Sequence, residues 1–225
     1  MPSILPHITL DSGEQPQHSI IWLHGLGADG HDFESMVDEL NLPVAVRYIF
    51  PHAPQRPVTI NNGFVMRAWY DIAHPNIDAR QDEEGIRNSQ RFIEALIAQE
   101  VARGMLPGNI FLAGFSQGGA IALHTGLRQT VPLGGILALS TYLPLTDKIN
   151  RELSANAKET PIFMAHGSID TVVPCSLGAA SKNVLIELGC AVEWHEYPMS
   201  HSLCIPELRD IESWLNGQLT VHRKI

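Results

Sequence analysis

The stretch Ile110-Phe111-Leu112-Ala113-Gly114-Phe115-Ser116-Gln117-Gly118-Gly119-Ala120-Ile121-Ala122-Leu123 decides the reading of this chain. It opens as a short apolar run, passes through a glycine-flanked serine, and continues into the start of an apolar-faced helix. Gly114-Phe115-Ser116-Gln117-Gly118 fits G-x-S-x-G, a sharp strand-to-helix turn that exposes a serine Oγ at the top of a sheet. Small residues two before and two after the serine are a steric requirement, since strand and helix nearly touch there. The pattern alone is weak in a chain with 18 glycines, where a flexible turn is the ordinary reading. Its context gives it weight: a strand precedes it and a helix follows.

Outward from this turn, apolar runs alternate with helical patterns. Residues 18–24, 44–50, 133–140, 161–166 and 191–197 read as further strands. Residues 32–40 have helical spacing, with Phe33, Met36, Val37 and Leu40 on one face. Residues 83–103 form the clearest helix, striped by Ile86, Ile93, Ile97 and Val101 and stopped by Gly104. Residues 177–188 and 207–215 complete the helices. Apolar strands joined by helices imply an α/β fold with a mostly parallel sheet covered on both faces. The expectation is a single domain over 1–225, with 55–81 as an excursion. There, Val58-Thr59-Ile60 and Phe64-Val65-Met66 flank Asn61-Asn62-Gly63 as a hairpin, followed by a loop of the kind that walls a pocket.

Composition bounds the function. Hydrophobic residues make up 44% and charged residues 17% of the 225, which is the balance of a globular chain. A net charge of −9 argues against nucleic-acid binding and offers no general attraction to anionic membranes. Cys175, Cys190 and Cys204 form neither a disulfide framework nor a zinc pattern. No signal peptide is read at the N-terminus and no apolar run reaches the roughly 20 residues of a spanning helix, so the expected location is cytoplasmic.

Chemistry in such sheets gathers at the carboxyl ends of the strands. Ser116 lies at one such end and needs a neighbouring base to become a nucleophile. Asp170 follows the strand 161–166, and His201 follows the strand 191–197. The order Ser, Asp, His is that of a hydrolase triad. Asp147, after the strand 133–140, is a second candidate acid; Asp170 is preferred for its tight turn directly after a strand. Of the eleven histidines, His124 lies in the helix after the elbow, His195 inside a strand, and His166 ahead of Asp170. An acyl oxyanion also needs donors, one from the Gln117 N–H and one from the loop His24-Gly25-Leu26-Gly27. His24 reads as structural, orienting that loop.

Several motifs in order extend this reading: Leu23-His24-Gly25-Leu26-Gly27, Phe50-Pro51-His52-Ala53-Pro54, Arg67-Ala68-Trp69-Tyr70-Asp71, the elbow with Gly119, Leu139-Ser140-Thr141-Tyr142-Leu143-Pro144, His166-Gly167 with Asp170, and His201-Ser202. Over nearly its whole length the chain resembles the bacterial carboxylesterase / acyl-protein thioesterase family, also called the phospholipase/carboxylesterase family. The resemblance implies an α/β-hydrolase fold with no large cap domain, no metal and no cofactor. It implies Ser116, Asp170 and His201 as the triad and Leu26 and Gln117 as backbone oxyanion donors, which weakens the case for Asp147. It also implies that residues 69–78 border an acyl pocket, with Trp69 and Leu26 against the substrate. The expected substrate is a small-molecule or lipid acyl ester of short or medium chain, and a homodimer stays open. Pro198 departs from the glycine that eukaryotic thioesterases carry before the methionine, which favours a carboxylesterase over a thioesterase or lysophospholipase. A non-catalytic binding protein of the same fold is the remaining alternative.

Overall fold

The computed structural model describes residues 4–74 and 81–221. The strands are β1 (His7–Asp11), β2 (His18–Leu23), β3 (Val46–Pro51), β4 (Gln55–Val58), β5 (Phe64–Arg67), β6 (Ile110–Phe115), β7 (Gly135–Leu139), β8 (Ile162–Gly167) and β9 (Val192–Tyr197). The α-helices are α1 (Met36–Glu39), α2 (Glu83–Ala102), α3 (Gln117–Gly126), α4 (Thr146–Glu152), α5 (Cys175–Glu187) and α6 (Ile205–Val221). Seven strands form one sheet in the order β1-β3-β2-β6-β7-β8-β9, and β4 pairs with β5 in a separate hairpin. β1 runs antiparallel to β3, and the other pairs in the large sheet are parallel.

Strand periodicity divides the core between the two faces. On β2, Ile21 and Leu23 face a cluster with Leu112, Ile86, Ile93 and Ile121 beneath α2 and α3. Ile20 and Trp22 face the opposite cluster, with Phe111, Leu137, Ile211 and Trp214 beneath α6. Every residue of β2, β7 and β8 is buried, as a sheet covered on both sides requires. Among the described residues no helix is long and apolar enough to cross a membrane.

Two expectations are corrected. The helix read over 32–40 is a 3₁₀ turn, Gly30–Phe33, followed by the short α1. The Asp29 carboxylate accepts the His31 N–H at 2.9 Å and starts the turn early, while Phe33, Met36 and Leu40 still reach the core. In the hairpin the first strand is Gln55–Val58, not 58–60. Asp71 accepts the Thr59 N–H at 2.7 Å and its hydroxyl at 2.5 Å, drawing Thr59 out of the ladder into the 3₁₀ turn Thr59–Asn61. Two further elements, β1 and α4, have no counterpart in the sequence reading. β1 is a half-exposed edge strand, and α4 buries only Ile149.

Candidate active site

The elbow stands at the carboxyl end of β6, in the middle of the sheet. Ser116 has φ 55° and ψ −123°, a conformation costly for a residue with a side chain. Two bonds hold it there: its N–H donates to Leu139 O at 2.9 Å, and its carbonyl accepts the Thr141 hydroxyl at 2.6 Å. A Cβ on Gly118 would overlap the carbonyl oxygens of Leu23 and His24, and one on Gly114 would overlap the Gly118 backbone. The steric requirement read from the sequence is thus met by direct contact of α3 with the ends of β6 and β2.

His201 and Asp170 meet although their positions in the chain are 31 residues apart; the His201 Nδ1 lies 2.6 Å from Asp170 Oδ2. The Asp170 carboxylate is fully buried, and its other oxygen accepts the Val172 and Val173 N–H groups at 2.8 and 2.9 Å. The two loops are stitched together. Ser168 N–H donates to Tyr197 O at 2.8 Å and Ile169 N–H to Met199 O at 3.2 Å. Gly167 permits this, since a Cβ there would overlap the Met199 and Ser200 carbonyls. On the side toward the elbow, the His201 ring packs on Phe115, the residue before Ser116, with centroids 4.7 Å apart.

Asp147 lies elsewhere. It sits in the first turn of α4, 73% exposed, and pairs with Lys148 at 3.3 Å. His166 is buried and donates from Nε2 to Val173 O at 2.9 Å, bracing the Asp170 turn; burial holds its pKa below the usual histidine range. His124 is buried within α3, with its pKa pushed down to about 3 by burial and by Arg128 and Arg87.

The loop 24–27 lies against the elbow: a Cβ on Gly25 would stand 3.6 Å from Ser116 Cβ. Gly27 N–H donates to Arg67 O at 2.9 Å and Ala28 N–H to Gly25 O at 3.3 Å. Leu26 is half-buried between them. Gln117 is the first residue of α3, where a backbone N–H has no intrahelical acceptor.

The structure differs from expectation at Trp69. Its side chain is 1% exposed and belongs to the core, so it backs the site rather than lining it. The indole N–H donates to His24 O at 2.9 Å, and the backbone N–H donates to Gln117 Oε1 at 2.8 Å. Arg56 at 3.1 Å and the Ser89 hydroxyl both donate to the Trp69 carbonyl. The Gln117 amide closes the brace by donating to Tyr70 O at 2.8 Å. Sequence reasoning missed this role of the Gln117 side chain, although Arg67-Ala68-Trp69-Tyr70-Asp71 marked the right segment. The part of the expected pocket border at 75–80 lies outside the described residues.

The family model described as Phospholipase/Carboxylesterase matches residues 7–219. The chain belongs to the phospholipase/carboxylesterase family. Acyl-protein thioesterase 1 of Gibberella zeae is 39% identical over 94% of this chain and 95% of its own length. Carboxylesterase SOBER1 of Arabidopsis thaliana is 38% identical over 89% of this chain and 90% of its own. The crystal structure of SOBER1 superposes with a TM-score of 0.85 at 37% identity, covering 90% of this chain and 99% of that one. Zea mays acyl-protein thioesterase 2 gives 0.84 at 26% identity, covering 96% and 99%. Membership in the phospholipase/carboxylesterase family makes this chain an α/β-hydrolase enzyme of the ester- and thioester-cleaving class, with no large cap domain among the described residues.

Proposed function

We propose that this protein is a serine carboxylesterase that hydrolyses short- to medium-chain acyl esters through an acyl-enzyme on Ser116. The observation that carries the reading is the buried Asp170 bonded at 2.6 Å to His201, whose ring packs beside the strained Ser116 turn. In this reading the Ser116 oxygen attacks the acyl carbon as His201 Nε2 takes its proton. The carbonyl electrons move onto oxygen, where the Leu26 and Gln117 N–H groups receive the negative charge. Collapse breaks the ester C–O bond, and the leaving alkoxide takes the proton from His201. Water then attacks the acyl-enzyme with His201 again as base, releasing the acid and Ser116. Asp170 holds the imidazole in the tautomer with Nε2 bare and stabilises the imidazolium. Exposed Ile169 and Val172, on either side of Asp170, offer apolar contact to an acyl chain.

A second reading, hydrolysis of S-acyl thioesters, is favoured by the relatives named acyl-protein thioesterase 1, which reach 41% identity. The attack is the same, so a substrate panel separates the two. Purified protein is expected to give its highest kcat/KM on p-nitrophenyl butyrate to octanoate, with Ser116→Ala inactive. A higher kcat/KM on an S-acyl peptide or a lysophospholipid would shift the assignment to that substrate. Undiminished turnover by Ser116→Ala would overturn both.

A further inference from the structure

We propose that His24 is a positioning residue: its imidazole grips the carbonyl of the Gly25–Leu26 peptide and thereby aims the N–H of that same peptide at the oxyanion. The inference rests on the reading of Leu26 N–H as an oxyanion donor. His24 is fully buried at the end of β2. Its Nε2 lies 3.1 Å from the Ala53 N–H and its Nδ1 lies 2.7 Å from Gly25 O. These two partners settle the tautomer. A backbone N–H only donates, so Nε2 is the acceptor; a carbonyl only accepts, so Nδ1 carries the proton. Burial pushes the ring pKa down to about 4, which keeps this neutral tautomer in place at neutral pH.

The bonded carbonyl and the Leu26 N–H belong to one planar trans peptide, so they point in opposite directions. Fixing the oxygen fixes the hydrogen. The lock has work to do on the Gly25 side, where the missing Cβ leaves ψ free to turn the peptide. A rotated peptide would turn its carbonyl oxygen toward the alkoxide and repel it. The other bond to Gly25 O, from Ala28 N–H, is longer at 3.3 Å. The preceding peptide is held separately, by the Trp69 indole on His24 O. Ala53 lies in Phe50-Pro51-His52-Ala53-Pro54, so this segment acts on the site through the ring it orients.

The test compares His24→Gln, which keeps a group near the Nε2 position, with His24→Asn, which keeps a donor near Nδ1. Turnover of p-nitrophenyl butyrate is measured per active site titrated with a fluorophosphonate. Loss of one oxyanion donor costs about 10²–10³ in kcat. His24→Gln is expected to fall by about 100-fold in kcat with KM unchanged, and His24→Asn by about 10-fold or less. A merely structural role would lower the titrated fraction and the melting temperature while leaving kcat per site intact, which would overturn the proposal. On the wild type, a ¹⁵N-resolved imidazole spectrum gives a reading independent of variant folding. Nδ1–H with bare Nε2 at neutral pH is expected for His24; an Nε2–H tautomer would overturn the lock. If Ser116→Ala retains turnover the catalytic reading fails; if it is dead while His24→Gln matches wild type, only the lock fails.

Discussion

Asp170→Asn is expected to lower kcat by about 10⁴-fold while KM and folding stay near wild type. The size of the effect follows from how Asp170 is held. One oxygen accepts two backbone N–H groups, from Val172 and Val173, and the other meets His201 Nδ1 at 2.6 Å. An asparagine must keep its oxygen on the two donors, because its NH₂ there would leave buried N–H groups facing each other. The NH₂ then points at His201, and Nδ1 must accept. The ring proton moves to Nε2, which can no longer take the Ser116 proton. Steady-state kinetics with p-nitrophenyl butyrate, beside a thermal melt, checks both halves. A kcat within about 10-fold of wild type would remove Asp170 from the mechanism. Asp147→Asn, altering a carboxylate paired only with a surface lysine, serves as the control and should leave kcat unchanged.

Gly118→Ala is expected to cost stability as well as activity. The added methyl would overlap the carbonyl oxygens of Leu23 and His24, both backbone atoms at the end of a fully buried strand. Neither side can yield without moving α3 or the loop 24–27. Overpacking against backbone that cannot yield costs about 3 kcal/mol, the upper end of the usual range. For a chain of this size that lowers the melting temperature by roughly 6–12 °C. Because the displaced parts carry both expected oxyanion donors, kcat should fall further than the loss of folded protein explains. Calorimetry and active-site titration of the same sample separate these contributions. An unchanged melting temperature would contradict the close approach of helix and strand.

Where the sequence was informative, the physics was local. Buried parallel strands are continuous apolar runs, so β2, β6, β7 and β8 were legible, and with them the strand ends where chemistry gathers. The elbow was legible because its glycines answer a steric demand. The elements that escaped are those whose formation depends on distant partners. Thr59 leaves its ladder for a carboxylate twelve residues on, and β1 forms on the exposed edge of β3. The family resemblance set Trp69 against the substrate; its burial depends on Gln117, 48 residues away, and on the His24 carbonyl. The same holds for His24, whose structural reading was available from position, whereas the tautomer that lets Nδ1 donate to Gly25 O is set by Ala53, 29 residues away.

A trapped acyl-enzyme tests directly whether Ser116 is the acylated nucleophile. The protein is quenched in acid during turnover of a slowly deacylating p-nitrophenyl ester, digested, and analysed by mass spectrometry. One acyl group per chain is expected, on the peptide carrying Ser116, and none in Ser116→Ala. An acyl group on another residue, or ester turnover surviving in Ser116→Ala, would contradict it.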